Sequence, residues 1–269
     1  MTVAEIQKII AEKVTGVWVP EHDTKGHHYR NIKDGRLVDS VTTQNIIDKP
    51  NLIPWAARIA AEWIAERLPL YCKENHDQMM SEASLAFRTV RDTAGSIGTQ
   101  AHDKIEIYIN EWIKLEHRPF LSGPLGTDPR VVAAVRSALK FFDKYPEIVP
   151  IASELLVGST KLNAAGTLDF LVLWGDKLWL LDWKTSNSAL HDDYAIQVAA
   201  YCHFFEEMTG LKIAGASILG LSKNYDETKV YDIPYLNQAY ATFKNQNKIY
   251  EWQKNGRKKL IERKNRLKI

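Results

Sequence analysis

Two apolar runs that flank a Gly-Asp pair, within residues 168–184, constrain the fold of this chain more than any other stretch. Strand-forming residues on both sides of the pair at 175–176 are typical of a β-hairpin with a two-residue turn. The turn sets the register of the hairpin, so that Asp169 lies directly opposite Asp182. Because side chains alternate between the two faces of a strand, Asp169, Asp182 and Lys184 are predicted to project from one face.

A pair of facing carboxylates is unfavourable unless another group compensates it. Facing residues hold their Cβ atoms roughly 4.5–5.5 Å apart, and two carboxylates about 5 Å apart at an effective dielectric of about 20 repel each other by roughly 3 kcal/mol. Burial in an apolar hairpin adds a desolvation cost. A divalent cation, a shared proton or the ammonium group of Lys184 alone would offset the repulsion. A salt-bridged cluster at the end of a sheet is the alternative that carries no function.

Composition places the chain among ordinary globular proteins. Its 269 residues, without an internal repeat or a clear linker, indicate one domain. We expect a helical and hairpin region at 1–95, a core at 96–233 and a long basic helix at 234–269. No apolar run is long enough to span a membrane and the first residues do not form a signal peptide, so we expect a cytoplasmic protein with no membrane partner. Cys72 and Cys202 are too few for an iron–sulfur cluster.

The segment from Gln253 onward is strongly basic. It contains eight basic residues and one acidic residue, although the whole chain has a net charge of only +2. The basic residues are Lys254, Arg257, Lys258, Lys259, Arg263, Lys264, Arg266 and Lys268. Such a tail on a mildly acidic body is typical of a nucleic-acid contact. A solvated helix end would explain the same charges.

Periodicity and turn residues divide the rest of the chain into helices and strands. The predicted helices cover 3–14, 51 onward, 76–92, 98–117, 128–145, 194–210 and 236 onward. The predicted strands form a hairpin at 28–41 and cover 150–157, 213–219 and 229–233, besides the central hairpin.

Several side chains on these elements are candidates for a functional site. Residues 92–96 are expected to end one helix, which places His102 in the first turns of the next, where the helix dipole favours a neutral imidazole. A lone helical histidine is also a common structural residue. Glu154 interrupts an apolar strand, and a buried glutamate is costly unless it is paired or bound to a metal. Gln197 and Tyr201 share one helix face because they are four residues apart.

The order His102, Glu154, Gly166-x-x-Asp169, Asp182-x-Lys184 and Gln197-x-x-x-Tyr201 resembles the PD-(D/E)xK nuclease superfamily, and within it the RecB-like exonuclease branch. Residues 40–56 also resemble the leader of phage-encoded members and of the mitochondrial genome maintenance exonuclease group. The resemblance implies an α/β fold with a restriction-endonuclease-like mixed β-sheet flanked by helices, a largely helical N-terminal region and a basic C-terminal helix. With two cysteines, the chain is similar to the members that lack an iron–sulfur cluster.

The same resemblance implies a DNA exonuclease that uses one or two Mg²⁺ or Mn²⁺ ions and acts on single-stranded DNA or DNA ends, in a bacterial or phage-infected cell. Asp169, Asp182 and the backbone carbonyl of Trp183 would bind an ion, and His102 would complete its shell. Glu154 would hold a second ion or a metal-bound water.

Lys184 would orient or deprotonate the attacking water, or stabilise the transition state; its carboxylate neighbours favour the charged form and disfavour proton abstraction. The expected substrate-binding residues are Gln197, Tyr201, Arg88, Arg91, Thr185 and Ser186. An endonuclease of the same fold and a non-catalytic DNA-binding module remain alternatives.

Overall fold

The structure is a computed structural model that describes residues 1–23, 26–47, 52–120, 123–185, 191–224 and 227–267, with side chains up to Gly256. In these ranges the helices are α1 (Val3–Lys13), α2 (Val41–Gln44), α3 (Leu52–Arg67), α4 (His76–Leu115), α5 (Pro129–Lys144), α6 (Asp192–Thr209) and α7 (Leu236–Leu267). The strands are β1 (Trp18–Asp23), β2 (Gly26–Asn31), β3 (Leu37–Ser40), β4 (Ile148–Ser159), β5 (Ala164–Trp174), β6 (Lys177–Lys184), β7 (Gly215–Gly220) and β8 (Lys229–Asp232).

The strands form one mixed sheet in the order β1-β2-β3-β5-β6-β7-β8, with β4 also paired to β5. The β3–β5 and β6–β7 pairs are parallel, and the other pairs are antiparallel. Alternate residues of the sheet pack against different helices. Leu180 belongs to a core with α1, α6 and α7, and Leu181 belongs to a core with α4 and α5. The predicted mixed α/β architecture, a sheet flanked by helices, is confirmed.

The central hairpin has the predicted register. Phe170 faces Leu181 and Trp174 faces Lys177, and Gly175 turns the chain at φ +65°, in the left-handed region that favours glycine. The aromatic rings of Phe170 and Trp183 stack with centroids 5.9 Å apart in the core under α5. This packing fixes the strand ends that carry Asp169 and Asp182.

One edge of β5 is only partly covered. β3 pairs with residues 164–165 and β6 with residues 170–174 of that edge, while β4 follows the opposite edge almost from end to end. Since β3 runs parallel to β5 and β6 runs antiparallel, the C-terminal ends of β3 and β6 point toward each other. Among the described strands, none pairs with residues 166–169 on this edge, which we call the sheet gap.

A single helix of 40 residues, α4, replaces the two predicted helices at 76–92 and 98–117. The expected break at 92–96 is wrong, and so is the N-terminal environment expected for His102, which lies deep inside α4. Glycine destabilises a helix interior by about 1 kcal/mol relative to alanine, and tertiary packing outweighs that preference here. At Gly98 a Cβ atom would lie 3.0 Å from Thr185 Oγ1. The glycine therefore allows α4 to approach the end of β6.

The N-terminal region contains a strand that the sequence did not predict, β1, besides its helices. α3 has no buried residue and packs along α4, where Trp55 contacts Phe87 edge-on with ring centroids 6.3 Å apart. None of the described helices combines the length and the apolar composition that a bilayer span requires.

Candidate metal centre

Three side chains from three different elements converge at the sheet gap. His102 of α4, Glu154 of β4 and Asp169 of β5 each offer one ligand atom, and these atoms all lie within 4.8 Å of one another. His102 Nδ1 is 3.9 Å from Asp169 Oδ2. All three side chains are half-buried. One nitrogen and two carboxylate oxygens at this spacing can hold a divalent cation.

The backbone of Trp183 holds two of these ligands in place. Its N–H group donates a hydrogen bond of 2.8 Å to Asp169 Oδ2, and the ring of His102 also forms a hydrogen bond with the Trp183 backbone. A backbone partner that orients the imidazole is common behind metal-binding histidines. The sequence had assigned the Trp183 carbonyl to the metal itself; in the structure the Trp183 backbone contacts the ligand side chains.

Glu154 reaches the centre through an unusual backbone conformation. Its φ of +47° is in the left-handed region, which costs a residue other than glycine about 1–3 kcal/mol. The pairs Ser153–Phe170 and Leu155–Leu168 on either side place Glu154 opposite Asp169. A strained backbone conformation thus occurs at the residue that supplies one of the three ligands.

Asp182 and Lys184 form a second part of the site. Asp182 is 0% exposed, and its Oδ2 atom lies 2.5 Å from Lys184 Nζ. Lys184 thus occupies Oδ2, and among the described residues Asp182 Oδ1 has no hydrogen-bond partner. The Lys184 ammonium also lies 5.2 Å from the ring centroid of Tyr194, a cation–π contact that the sequence did not indicate.

The carboxyl groups of the site resist ionisation. Burial, and then the neighbouring carboxylates of Asp169 and Glu106, raise the pKa of Glu154 to about 8. Burial raises the pKa of Asp182 to about 6, against the opposing effect of the Lys184 charge. The pKa of Asp169 is raised by burial as well. Lys184 alone therefore does not compensate the carboxylates, which leaves a bound cation or a retained proton.

The pKa values of the two nitrogen bases of the site, His102 and Lys184, shift in opposite directions. Burial lowers the pKa of His102 and the Lys184 charge lowers it further, which favours the neutral imidazole that binds metals. Burial opposes the charged form of Lys184, but the carboxylates of Asp182 and Asp169 outweigh it and raise the lysine pKa. The neutral histidine was expected from a helix dipole, whereas its cause in the structure is burial beside a lysine.

Gln197 and Tyr201 meet on α6 as predicted, and they lie behind the sheet gap. Gln197 Nε2 donates a hydrogen bond of 2.9 Å to the Tyr201 hydroxyl. The tyrosine is 3% exposed, and its ring lies against Gly166, where a Cβ atom would be 2.4 Å from Tyr201 Cε1. In this structure Tyr201 positions the β5 backbone and does not face solvent.

The remaining predicted substrate-binding residues lie farther from the centre. Arg88 and Arg91 are exposed on α4, 14 and 11 residues before His102, or about 21 and 16 Å along the helix axis. Both lie within about 40° of the His102 direction because α4 has 3.6 residues per turn, but Arg91 is paired with Asp92 at 2.8 Å. Thr185 is half-buried beside Gly98. Ser186 lies outside the described residues.

A cavity of about 290 Å³ opens beside the three ligands. Its lining consists of Gly98, Thr99, His102, Asp103, Glu106 and Glu154. Glu106 was not among the predicted site residues, although it lies four residues after His102. The spacing of four residues on one helix was the available signal.

The residues present fit a divalent cation. The centre contains three carboxyl groups against one lysine, a neutral histidine oriented from behind, and a buried residue, Asp182, with an oxygen that lacks a partner among the described residues. No protein-family model matches this chain, and a search of curated proteins found no match.

Proposed function

We propose that this chain is a divalent-metal-dependent DNA exonuclease with a restriction-endonuclease-like core, a member of the PD-(D/E)xK superfamily similar to its RecB-like branch. The observation that carries the proposal is the convergence of His102, Glu154 and Asp169 within 4.8 Å, next to the buried pair of Asp182 and Lys184. A salt-bridged cluster does not explain it, because a single lysine faces three carboxyl groups with raised pKa values.

His102, Glu154 and Asp169 would hold the cation, and Asp182 offers a further oxygen for it or for a second ion. A histidine nitrogen among carboxylates suits Mn²⁺ better than Ca²⁺, and Mg²⁺ also accepts such oxygen ligands. When bound, the cation polarises a phosphate and lowers the pKa of a coordinated water. The Trp183 backbone keeps His102 and Asp169 oriented for this task.

Lys184 supplies positive charge at the reacting phosphate. Its pKa is raised by Asp182 and Asp169 although burial opposes this, so the ammonium form dominates at neutral pH. A charged ammonium stabilises the additional negative charge of a pentavalent phosphorus and orients the attacking water through its N–H groups. Asp182 and the Tyr194 ring hold that ammonium in place.

Several features favour a DNA strand as substrate. The chain ends in a basic segment, and Arg88 and Arg91 extend from His102 along one side of α4. Arginines at this position can clamp phosphates of a strand that leads into the centre. The helical pair of α3 and α4, in which α3 buries no residue, would guide a free strand end, and for this reason we propose an exonuclease over an endonuclease.

Cleavage of end-labelled linear DNA, compared with covalently closed single-stranded circles in Mg²⁺ or Mn²⁺, tests the proposal. We expect degradation of the linear strands, protection of the circles, and no activity in Asp182→Ala or Lys184→Ala. Asp176→Asn in the exposed turn of the same hairpin is the matched control and should cleave normally. Cleavage of the circles would indicate the endonuclease.

Calorimetric titration with Mn²⁺ separates the enzyme from a DNA-binding module on the same scaffold. The enzyme requires a divalent site that weakens when Asp169 is replaced by Asn. A chain that binds DNA but shows neither a divalent site nor metal-dependent products would contradict the assignment as a nuclease.

A further inference from the structure

The C-terminal helix α7 is fixed to the body of the protein along one side. Phe243 is buried and contacts Phe204 of α6 with ring centroids 5.9 Å apart. Farther along, Asn247 Nδ2 donates a hydrogen bond of 2.7 Å to the Leu162 carbonyl. Tyr250 then donates a hydrogen bond of 2.8 Å to Asp39 Oδ2. These contacts fix both the position and the rotation of the helix.

The buried Asp39 carboxylate is the last attachment point of the described side chains. Lys254 Nζ contacts Asp39 Oδ2 at 2.5 Å, and His28 Nδ1 lies 2.8 Å from the other oxygen. Tyr250 and Lys254 therefore face the body of the protein. Residue 252 lies halfway between them, about 160–200° around the helix, so its side chain points outward.

That outward residue is Trp252, which is 75% exposed. The nearest position one turn onward is Gly256, where an added Cβ atom would be 4.0 Å from the indole atom Cε2. Because residue 256 has no side chain, the indole face remains uncovered on that side. Ile249, one turn earlier, is also half exposed to solvent. The helix thus presents a flat aromatic surface on a rigid support.

The charges around the indole are positive. Lys244 and Lys248 precede Trp252 in steps of four residues and are exposed, so all three share one side of the helix. The acidic neighbour Glu251 is half-buried and accepts a hydrogen bond of 3.1 Å from Asn255. Beyond Gly256 the sequence adds seven basic residues and one acidic residue. This charge repels a second copy of the same face and attracts a polyanion.

We propose that the outer face of α7, formed by Lys244, Lys248, Ile249 and Trp252, binds single-stranded nucleic acid. Trp252 stacks against an unpaired base, and the two lysines neutralise backbone phosphates. An exposed aromatic ring with flanking cations is the arrangement that single-strand binders use, whereas the bases of a duplex are not available for stacking. The inference rests on the proposed function, in that it extends the substrate contact to an element that supplies no ligand to the metal centre.

Binding in EDTA tests this contact without hydrolysis. The probe is a fluorescent oligo-dT of about 20 nucleotides, longer than one typical single-strand site, and the measurement is anisotropy. We expect Trp252→Ala to weaken binding about tenfold and Trp252→Phe to retain most of the affinity. Phe120→Ala removes another exposed ring, at 95% exposure, and should bind like the unmodified chain. A duplex of the same length should be affected less by Trp252→Ala.

The lysines are tested by the salt dependence of binding. Replacing Lys244 and Lys248 by Gln should reduce the slope of log K against log salt by about 0.7 for each phosphate that the variant no longer neutralises. Lys177→Gln, at the exposed start of β6, is the matched control and should leave the slope unchanged. An unchanged slope in the Lys244/Lys248 double variant would overturn the assignment of these lysines.

Three other results would overturn the proposal: unchanged oligo-dT affinity in Trp252→Ala, a self-association that this variant abolishes in sedimentation, or a stronger dependence on Trp252 for anionic lipid vesicles than for oligo-dT. The two proposals fail separately. Trp252-dependent binding without metal-dependent cleavage would contradict the nuclease assignment and support the nucleic-acid contact at Trp252. Metal-dependent cleavage together with unchanged oligo-dT affinity in Trp252→Ala would contradict the contact and leave the nuclease assignment in place.

Discussion

The ring of Tyr201 occupies the space that any side chain at Gly166 would need, since a Cβ atom there would lie 2.4 Å from Tyr201 Cε1. The Gly-x-x-Asp pattern on β5 is therefore a packing requirement as well as a sequence motif. It brings α6 against the sheet gap, three residues before Asp169.

Gly166→Ala should lower the free energy of unfolding by about 1–3 kcal/mol, because a buried ring must move to make room. The displacement should also shift the neighbouring metal ligand Asp169 and so reduce the cleavage of DNA. Urea denaturation and a nuclease assay measure the two effects. Gly95→Ala is the control, because nothing lies within 4 Å of its Cβ position and it is helical, so it should stabilise the chain by about 1 kcal/mol. Equal stability of Gly166→Ala and the unmodified chain would contradict the packing argument.

Glu154→Gly should abolish activity yet leave the chain more stable than Glu154→Ala does. Both variants remove the carboxylate, but only glycine relieves the positive φ of +47°. The expected difference in the free energy of unfolding is about 1 kcal/mol, measured by urea denaturation. If alanine is tolerated as well as glycine, the strain assigned to this backbone is absent.

The stability of the metal-free chain should fall as the pH rises toward 8. The folded-state pKa of Glu154 is raised from 4.5 to about 8, so the folded chain keeps a proton that the unfolded chain releases. The stability from this group is fully present below about 4.5 and is lost as the pH passes through about 8. Denaturation in EDTA between these limits should show a smaller loss for Glu154→Gln, which cannot titrate.

Mn²⁺ should stabilise the folded chain, because it binds the assembled ligands and not the dispersed ones. At a concentration one hundred times its dissociation constant, the gain is about 2.7 kcal/mol. Thermal unfolding with and without Mn²⁺ measures this gain. His102→Ala and Asp169→Asn should lose most of it, and Asp176→Asn should keep it. Identical gains in all of these variants would show that the ion binds elsewhere.

Truncation after Gly256 should weaken DNA binding and flatten its salt dependence, because it removes seven basic residues and one acidic residue. The cut must follow Lys254, since this lysine contacts Asp39 and its loss would also disturb the attachment of α7. Titration of binding against salt concentration is the measurement. A salt slope equal to that of the full chain would show that the tail does not touch phosphates.

Local chemistry made the hairpin predictable. The Gly-Asp turn between two apolar runs set its register, and the two-residue period of a strand places Asp182 and Lys184 on the same face. The strand predicted at 150–157 from its apolar run lies within β4 (Ile148–Ser159). These features depend on neighbours that are close in sequence or joined by a short turn.

The rest of the centre depends on contacts between distant segments. Nothing near residue 95 reveals that α4 continues, because the helix is supported by the approach of Gly98 to Thr185. The left-handed backbone of Glu154 and the contact between Tyr194 and Lys184 also arise only in the folded chain. The neutral form of His102 was predicted for the wrong reason, since its cause is burial and not a helix end.

The partly covered edge of β5 divides the sheet into two leaves. Among the described strands, the N-terminal leaf of β1, β2 and β3 pairs with the rest of the sheet at two positions, Asp39–Ala164 and Ser40–Ala165, and side chains add contacts such as Trp18 with Ala165 and Tyr250 with Asp39. The ladder of β4, β5 and β6 that carries Glu154, Asp169 and Asp182 does not need these two pairs, because β4 is paired with the opposite edge of β5. Opening of the N-terminal leaf would break few sheet hydrogen bonds, together with these side-chain contacts, and would leave that ladder intact, so we expect the leaf to exchange its amide hydrogens as a separate cooperative unit.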